Sequence, residues 1–477
     1  MFRLFFLMTL AIFLAVSLGT SQNNSSHQVN GSTEKLKNCA VVSQVNCCKE
    51  GRDGRDGRDG RDGAGGAKGE KGEVGMPGQD GKAGIKGPHG DKGLQGEKGM
   101  PGTCDAKSLS STASTCCSAD CSSGFHFFEK VQDLPSQGAV YVDQFTIDGN
   151  LFLAFANHYG DIRKGKTSSK IYKMDELTGK FSLYQTLQTR GASCLEHFSI
   201  AGKHFVAVSN VFDGTYQLDS TIYQWNGKLF VDFQKISTYG ATHLTYFKIS
   251  GETYLVFANN YDGSTYSTKS VVYKWSSNKF IKFQEIPTEG VHGCTAFVIN
   301  NDTFIAFANH YNSQHKYSVQ STVFKWTGGH FVKLQSIQTY GARDVRSFNI
   351  NGHTFLAFAN FYSGSKYNSD SFIYKWNGNT FVLFQSIPGR GGIAWFPFVI
   401  SGRTYLGLAN HNGDGQGKSV KSVVYQAFGA QFVKYQEIPT HGAHDLTSFE
   451  YKGHTYLAVA NYWNQKFNTN SALYKWV

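Results

Sequence analysis

Glycine occupies every third position from Gly51 to Gly99, and Gly102 closes this run of seventeen unbroken triplets. Only glycine fits at the crowded axis where the three chains of a collagen triple helix meet, so the period predicts a collagen-like triple helix over residues 51–102. A collagen strand has no backbone partner except two further strands. The sequence therefore predicts a homotrimer, or a multiple of trimers, that presents its downstream part in threes.

Seven of the nine cysteines flank this stalk, in a Cys-containing N-terminal segment (21–50) and a Ser/Thr/Cys-rich neck (103–124). They are Cys39, Cys47, Cys48, Cys104, Cys116, Cys117 and Cys121. Cysteines grouped at the ends of a rod are typical of interchain disulfides that lock the three chains in register. A zinc site is the competing interpretation, but no histidine stands near these cysteines and an oxidising compartment favours disulfides.

The first twenty residues predict a secretory signal peptide, because Arg3 precedes the apolar run Leu4–Leu18 and small residues follow. A signal anchor is the alternative, although the run is short for a membrane span. We therefore expect a product secreted to the extracellular space or matrix, without membrane insertion. Four sites have the acceptor pattern for N-glycosylation: Asn23, Asn24, Asn30 and Asn301.

The formal net charge of +11 is spread along the chain rather than gathered in a block. Acidic and basic residues alternate in the stalk, and no nucleic-acid-binding motif is present. Binding to nucleic acid is therefore not expected. General solubility is the simplest interpretation of the charge, and a weak preference for acidic glycans is the alternative.

Residues 125–477 contain seven copies of a unit of about fifty residues, a period typical of propeller blades. Each unit has a Phe-x-x-x-Gln strand, an apolar strand that ends in Asn, and a strand that ends in Tyr-x-Trp or its equivalent. In the fifth unit we predict strands at Arg346–Ile350, Thr354–Asn360, Ser371–Trp376 and Phe381–Ile387, joined at their hairpins by Asn-Gly turns. The fold prediction is an all-β, seven-bladed propeller of four-stranded blades; an open solenoid, the alternative, would need atypical end units.

The two ends of the repeat array complement each other. Ser471–Trp476 has no Phe strand after it, and Phe128–Leu134 has no Tyr-x-Trp strand before it. Each end supplies what the other lacks. We therefore predict that Phe128–Leu134 completes the seventh blade as its outer strand and removes a bare sheet edge.

The landmarks resemble the epitempin (EAR) repeat of secreted leucine-rich glioma-inactivated proteins and of thrombospondin-type laminin G/EAR proteins. In the seventh unit the matching elements are Gln436–Ala443, Phe449–Gly453, Leu457–Asn461 and Leu473–Trp476. The resemblance covers about three quarters of the chain and leaves out the collagen-like stalk. It implies a seven-bladed propeller that binds extracellular proteins rather than one that catalyses a reaction.

The loops that follow the repeated Asn vary between units, while the scaffold around them repeats. We expect these loops to share one face with the Thr-x-Gly-Ala connections. Their aromatic residues are the candidate ligand-binding residues: Tyr159, Tyr261, Tyr311, Tyr362 and Trp463. Exposed aromatic residues on one face suit protein or sugar contact, and packing against neighbouring blades is the alternative.

Acidic residues hold a channel cation in glioma-inactivated-type propellers, and Asp344 and Asp445 match that position by resemblance. Calcium is therefore a candidate, although two carboxylates are few for an ion that takes six to eight oxygens. No other cofactor is predicted. Cys194 and Cys294 lie in different units and are expected to be buried free thiols.

No residue is a candidate for catalysis. Gly160–Thr167 matches the phosphate-binding pattern G-x-x-x-x-G-K-[ST], but that loop requires a helix after it. The sequence here predicts a strand, Ser169–Met174, in phase with the other units. Nucleotide binding is therefore rejected, and an enzyme is not expected.

The first functional interpretation is a secreted, trimeric, multivalent recognition or adhesion protein, because the stalk would cluster three propellers. The alternative is a structural component of the extracellular matrix that is cross-linked through interchain disulfides. Soluble trimers would favour the first, and an insoluble network that reductant dissolves would favour the second.

Overall fold

The computed structural model describes residues 126–159 and 166–477. The predicted signal peptide, the stalk, the neck, the seven flanking cysteines and the acceptors Asn23, Asn24 and Asn30 all lie outside these residues. The described residues belong to one compact unit, Ser122–Val477.

The described residues form 28 strands. The first fourteen are β1 (Phe128–Leu134), β2 (Ala139–Ile147), β3 (Asn150–Asn157), β4 (Lys166–Asp175), β5 (Lys180–Arg190), β6 (Ala192–Ile200), β7 (Lys203–Asn210), β8 (Gln217–Trp225), β9 (Phe230–Tyr239), β10 (Ala241–Ile249), β11 (Glu252–Asn259), β12 (Ser267–Ser276), β13 (Lys279–Glu289) and β14 (Val291–Ile299). The second fourteen are β15 (Asp302–Asn309), β16 (Ser318–Thr327), β17 (His330–Tyr340), β18 (Ala342–Ile350), β19 (His353–Asn360), β20 (Ser371–Trp376), β21 (Phe381–Ile387), β22 (Gly392–Ile400), β23 (Arg403–Asn410), β24 (Ser422–Phe428), β25 (Gln431–Ile438), β26 (Ala443–Tyr451), β27 (His454–Asn461) and β28 (Ser471–Trp476).

These strands form seven antiparallel sheets of four strands, which are the blades of the predicted propeller. Blades 1 to 6 are β2–β5, β6–β9, β10–β13, β14–β17, β18–β21 and β22–β25, each in chain order from the inner to the outer strand. The inner strand of blade 5 begins at Ala342, four residues before the predicted start. The ladder shifts register between Ala342 and Asp344, as it does near the start of every inner strand, and this bulge interrupts the regular strand pattern.

Blade 7 closes the ring as the sequence predicts. Its sheet has the order β1-β28-β27-β26, so the first strand of the array pairs with the last. Phe128 lies opposite Trp476, and Leu134 lies opposite Ser471. The two ends are also joined beyond the strands, because Phe127 and Val477 exchange two backbone hydrogen bonds.

The hairpin between the first and second strands of every blade has the same tight turn. In blade 5, Asn351 and Gly352 have φ angles of 49° and 77°. Two consecutive left-handed residues define the type I′ turn, which matches the twist of paired strands and favours Asn-Gly. Asn301 takes the second position in blade 4 at φ 70° and is exposed, so the predicted acceptor lies on a surface turn.

The repeated phenylalanines form the core between blades. Within each blade the aromatic ring of the inner strand stacks on an aromatic ring of the second strand, as Phe348 does on Phe355 at 5.2 Å between centroids. It also meets the edge of the outer-strand Phe of the next blade, as for Phe348 and Phe432 at 5.8 Å. Burial of each ring contributes about 2–3 kcal/mol. The Phe pattern is therefore structural.

The repeated glutamine joins each outer strand to the next. The Gln335 side chain donates to the carbonyl of Phe381 at 2.8 Å and accepts from its N–H at 2.8 Å. The same pair of bonds occurs at all seven junctions, including Gln436 with Phe128 across the ring closure. The backbone N–H and carbonyl groups of an outer strand face away from its own sheet and need partners when they are covered. The glutamine amide provides these partners.

The repeated asparagine ties together the three segments around it. Asn360 accepts a hydrogen bond from the N–H of Tyr340, the last residue of β17, and donates to the carbonyl of Asp370 before the third strand. It is fully buried. The landmark therefore shapes the loop and is not itself available to a ligand.

Candidate functional site

The loops after the repeated Asn share one face with the connections between blades, as predicted. In every blade the residue after Asn donates its N–H to the carbonyl of the connection glycine, as Asn260 does to Gly240 at 3.2 Å. The N–H of Gly240 in turn donates to the carbonyl of Tyr216, in the loop of the previous blade, at 2.6 Å. We call the surface that carries these loops and connections the loop face.

The connection glycine is required by a close approach between chains. Gly290 has φ 46°, and a Cβ added there would lie 2.0 Å from the carbonyl oxygen of Tyr311. The Cβ of any other residue would collide with this loop. A residue with a side chain would also be strained at this left-handed φ angle. The glycine therefore lets each loop pack closely on the connection.

Aromatic side chains form a continuous row along the loop face across blades 2 to 5. Neighbouring ring centroids are 4.5–5.0 Å apart, with contacts alternately within one loop and between blades. We call this row the aromatic belt; its members are Phe212, Tyr216, Tyr261, Tyr266, Tyr311, Tyr317, Tyr362 and Tyr367. Offset and edge contacts of this kind stabilise aromatic pairs by about 1 kcal/mol each.

The belt contains three of the five predicted ligand-binding residues, Tyr261, Tyr311 and Tyr362. Each is half-buried, packed against neighbours on one side and open to solvent on the other. Both interpretations of the sequence therefore describe part of the arrangement: the rings hold adjacent blades together and also form an aromatic surface. Ligand binding by these residues stays a prediction.

The other two predicted residues belong to a second aromatic group at blades 7 and 1. Trp463 and Tyr159 both contact Phe467, with ring centroids 4.5 and 5.2 Å apart. The ammonium of Lys418 lies 5.0 Å from the centre of the Trp463 indole. Both predicted residues are half-buried.

Blade 6 separates the two aromatic groups. Its loop has no Phe, Tyr or Trp, and Asp414 accepts hydrogen bonds from the N–H groups of Tyr367 and Asn368 at 3.0 and 3.2 Å. Among the described residues, the two groups of larger aromatic side chains are therefore connected across blade 6 only through the His411 ring, which contacts Phe361 and Tyr462 at 5.8 and 5.5 Å between centroids.

A cavity of about 380 Å³ opens at the propeller axis on the loop face. All seven blades contribute to its wall, and Tyr159 and Tyr216 connect it to the aromatic groups. A second cavity of about 180 Å³ lies beyond it along the axis. Tyr141, His243, Arg346 and Asp445 line both cavities and therefore lie between them.

Arg343 and a group of histidines surround the mouth of the larger cavity. The Arg343 guanidinium lies 4.5 Å from the centre of the Phe361 ring and makes no ion pair with any residue that the structure describes. Its Nε is buried without a hydrogen-bond partner among those residues. Burial lowers the pKa of Arg343 to about 10, so it stays cationic at neutral pH.

The neighbouring imidazoles are neutral at physiological pH. Burial, together with the charge of Arg343, lowers the pKa of His158 to about 4 and that of His310 and His411 to about 3. Burial and the same charge hold the pKa values of His292 and His444 well below the usual range. Arg343 is therefore a positive charge surrounded by uncharged imidazoles, whereas Arg346, which lines the same cavity, is paired with carboxylates.

The two predicted metal-binding residues meet at the channel, but an arginine joins them. The Arg346 Nε lies 3.1 Å from Asp344 Oδ2, and its terminal nitrogen lies 3.8 Å from Asp445 Oδ1. Their inner strands are two blades apart, and Arg346 extends from the same strand as Asp344. The guanidinium provides the positive charge that the sequence analysis assigned to calcium.

The same carboxylates also bond the blades to one another. Asp344 accepts a hydrogen bond from the backbone N–H of Trp395 in blade 6 at 3.0 Å, and Asp445 accepts one from Val142 in blade 1 at 3.1 Å. Asp143 and Glu196 make equivalent bonds to the blades that follow them. Inner-strand acids therefore hold neighbouring blades together at four of the seven junctions.

These contacts do not fit calcium, so a calcium ion at Asp344 and Asp445 is disfavoured here and is left to the measurement below. One oxygen of each carboxylate is already engaged by a buried N–H, and the arginine would repel a second cation. Within residues 126–159 and 166–477 no cluster of three or more His, Cys, Asp or Glu side chains could hold a metal ion. Calcium prefers six to eight oxygen ligands, far more than this site offers.

We expect calcium and chelator to give the same melting temperature, whereas Arg346→Met should strongly destabilise the propeller. Removing one partner of a buried ionic group costs about 3–5 kcal/mol, because the remaining charges lose their compensation. Thermal unfolding of both proteins, with and without calcium, measures the two effects. A calcium-dependent rise in melting temperature that Asp344→Asn with Asp445→Asn abolishes would restore the metal site.

The phosphate-binding pattern has the structural context that the sequence analysis predicted. Residues 160–165 lie outside the described residues, and the pattern runs directly into strand β4 instead of a helix.

The two remaining cysteines, Cys194 and Cys294, are buried and unpaired, as expected. No helix among residues 126–159 and 166–477 has the length and apolar character needed to cross a membrane.

Sequence reasoning missed Arg343, Arg346 and the second aromatic residue of each loop. The tyrosines had a usable signal, because Tyr216, Tyr266 and Tyr317 each precede the third strand of their unit at a similar position. The arginines had none, since each occurs in only one of seven units. Their role depends on which side chains the closed ring brings to the axis.

Matches to two family models agree with the fold. The EPTP domain matches seven times, at residues 128–175, 180–226, 229–276, 279–327, 330–377, 380–426 and 431–477, and the collagen triple helix repeat matches residues 48–107. A solved structure from Bacteroides uniformis, described as a candidate 6-phosphogluconolactonase, aligns over 68% of this chain and 95% of its own at 11% identity and a TM-score of 0.48. That similarity is too distant to bear on activity.

Two curated relatives share the repeat. The thrombospondin-type laminin G domain and EAR repeat-containing protein of Homo sapiens is 40% identical over 100 residues, which are 21% of this chain and 15% of the relative. Its Mus musculus counterpart is 36% identical over 113 residues, or 23% and 17% of the two chains. The alignments thus span less than a fifth of either relative.

The seven EPTP matches coincide with the seven units of the sequence and together cover more than half of the chain. Each match begins at an outer strand and continues through the three other strands of the next blade, or nearly so. The chain therefore belongs to the EPTP domain family.

Proposed function

We propose that this chain is a secreted, trimeric recognition or adhesion protein whose collagen-like stalk clusters three propellers. Each propeller binds an extracellular protein or glycan through its loop face. The observation that carries the proposal is the half-exposed aromatic surface, which adjoins a cavity of about 380 Å³ on the same face. Aromatic side chains around a partly enclosed centre are typical of interface hot spots.

Multivalency strengthens such binding. Three linked propellers that engage one surface can exceed the affinity of a single site by about 10²–10⁴-fold, provided that the geometry allows simultaneous contact. The collagen repeat, matched over residues 48–107, supports trimer formation. The EAR-containing relatives and the collagen repeat also support an extracellular location.

The secreted protein is expected to sediment as a trimer, or as a multiple of three chains, in native buffer. Reductant should separate the chains after denaturation, because the flanking cysteines are proposed to form interchain bonds. Sedimentation equilibrium with and without reductant measures this. A monomer in native buffer would contradict the proposal, and an insoluble network that reductant dissolves would favour the matrix alternative.

Truncation of loop-face aromatics is expected to weaken binding without unfolding the domain. Trp463→Ala and Tyr362→Ala should each cost about 2 kcal/mol per site, and the trimer should compound the loss. The measurement is binding of the full secreted chain to a panel of immobilised extracellular proteins and glycans, alongside thermal unfolding. Val399, 58% exposed near a turn on the opposite face, gives the matched control Val399→Ala. Equal losses for the control and the loop-face variants would rule out the loop face as the binding surface.

A further inference from the structure

The Arg343 side chain is a half-buried positive charge that no carboxylate among the described residues pairs with. Its guanidinium contacts the Phe361 ring, it makes no ion pair with the described residues, and its Nε has no hydrogen-bond partner among them. By contrast, Arg346, on the same strand, is paired with two carboxylates. A guanidinium has five N–H donors arranged to match a carboxylate, so Arg343 has an unused capacity to bind an anion.

The cavity beside Arg343 has the size and chemistry for a small polar group. Its volume of about 380 Å³ lies near the lower end of the range for ligand pockets. Its wall carries the Ser193 and Thr242 hydroxyls, the Asn260 amide and several imidazoles. His444 Nε2 is buried and has no hydrogen-bond partner among the described residues. A neutral imidazole offers one donor and one acceptor, which suits hydroxyl groups.

We propose that this cavity binds a carboxylate-bearing sugar unit of a glycan, with Arg343 as the partner of the carboxylate. The polar wall would bond the sugar hydroxyls, and Tyr159 and Tyr216 at the cavity edge would pack against the ring. A purely apolar side chain would leave Arg343 and the polar wall unpaired, at a cost in desolvation. The inference rests on the proposed recognition function and names the chemistry of the group recognised.

The acidic residues of the channel do not oppose this assignment. Asp344 is engaged by Arg346 and by the N–H of Trp395. Burial raises the pKa of Asp445 to about 7, although Arg346 acts in the other direction. The carboxylates nearest the cavity are therefore compensated or partly protonated, whereas the charge of Arg343 has no counterion within the part of the chain that the structure describes.

The test is a titration of the full secreted chain with free glucuronic acid and with N-acetylneuraminic acid, in which ligand-observed NMR measures the binding. Glucose and N-acetylmannosamine are the uncharged counterparts, and glutamate is an acidic ligand that is not a sugar. We expect millimolar binding of at least one acidic sugar, at least tenfold weaker binding of the neutral sugars and of glutamate, and at least tenfold weaker binding to Arg343→Gln. Arg403→Gln, at an exposed arginine on the opposite face, should bind like the unmodified protein.

Several results would overturn the inference. These are equal binding of acidic and neutral sugars, equal binding to Arg343→Gln and the unmodified protein, preferential binding of glutamate, or no binding of either acidic sugar. Thermal unfolding tests whether Arg343→Gln is folded. If it is unstable, Arg343→Lys takes its place; this variant keeps the charge and should retain part of the affinity. A further outcome separates this inference from the proposed function. If Trp463→Ala loses binding to the panel of extracellular proteins and glycans while the unmodified protein binds no acidic sugar, the proposed function stands and this inference alone is rejected.

Discussion

Deletion of strand β1, Phe128–Leu134, is expected to prevent stable folding of the propeller or to lower its melting temperature by more than about 10 °C. The strand is the outer edge of blade 7, where it pairs along its length with β28. Phe128 and Leu134 are 3% and 0% exposed, and burial of two such side chains alone contributes about 5 kcal/mol. That is a large share of the stability of a typical domain.

Loss of β1 would also open both junctions beside it. Gln436 of blade 6 exchanges two hydrogen bonds with Phe128, and Gln132 of β1 exchanges two with Phe181 of blade 1. The deletion therefore removes the glutamine hydrogen bonds that join the outer strand of blade 7 to both neighbours, and it leaves β28 as an unpaired edge.

A permuted variant provides the control for this prediction. Phe127 and Val477 exchange backbone hydrogen bonds, so residues 125–134 can be moved to follow Val477 through a copy of the Asn377–Thr380 turn. This places β1 after β28, as the outer strand follows the third strand in the other blades. We expect the permuted chain to melt near the unmodified temperature. Equal melting of the deletion variant and the unmodified protein would contradict the closure.

Acid is expected to destabilise the propeller steeply below about pH 6. Seven histidines have pKa values lowered chiefly by burial: His158, His197, His243, His292, His310, His411 and His444. The unfolded chain binds protons at these groups when the folded one does not, so their contribution to stability is lost as the pH falls below about 6.5. Each proton changes stability by about 1.4 kcal/mol per pH unit.

Three carboxyl groups act in the opposite direction. Burial raises the pKa of Asp143 and of Asp445 to about 7 and that of Glu196 to about 8. The folded state binds protons at these groups between about pH 4 and 8, so their contribution falls as the pH rises. On unfolding in acid the seven histidines take up protons and the three carboxyls release them, so the net uptake is at most about four protons. The free energy of unfolding then changes by about 5 kcal/mol per pH unit at most. We expect maximal stability near pH 7.

Denaturant unfolding between pH 4.5 and 8.5 measures this dependence. His444→Gln removes one of the buried groups and should reduce the slope below pH 6 by about 1.4 kcal/mol per pH unit. His454→Gln alters an exposed histidine at the start of β27 and should leave the slope unchanged. Constant stability from pH 5 to pH 7 would show that the histidines are not held neutral by the fold.

The periodic features of the fold could be predicted because each is a local pattern that repeats seven times. Asn351-Gly352 signals a type I′ turn, and the strands Ser371–Trp376 and Phe381–Ile387 have the predicted bounds. The start of the inner strand was placed too late at Arg346, since the bulge between Ala342 and Asp344 breaks the alternation that marks a strand.

The sequence by itself determined the triplet stalk, the number of blades and the way the ring closes, because these follow from periods and from complementary ends within the chain. Only the tertiary structure decided what meets at the axis. Arg346 lies between Asp344 and Asp445, which are about a hundred residues apart, and Arg343 lies among histidines from four blades. Closure of the ring brings together one residue from each of several units, and no pattern within a single unit encodes that juxtaposition.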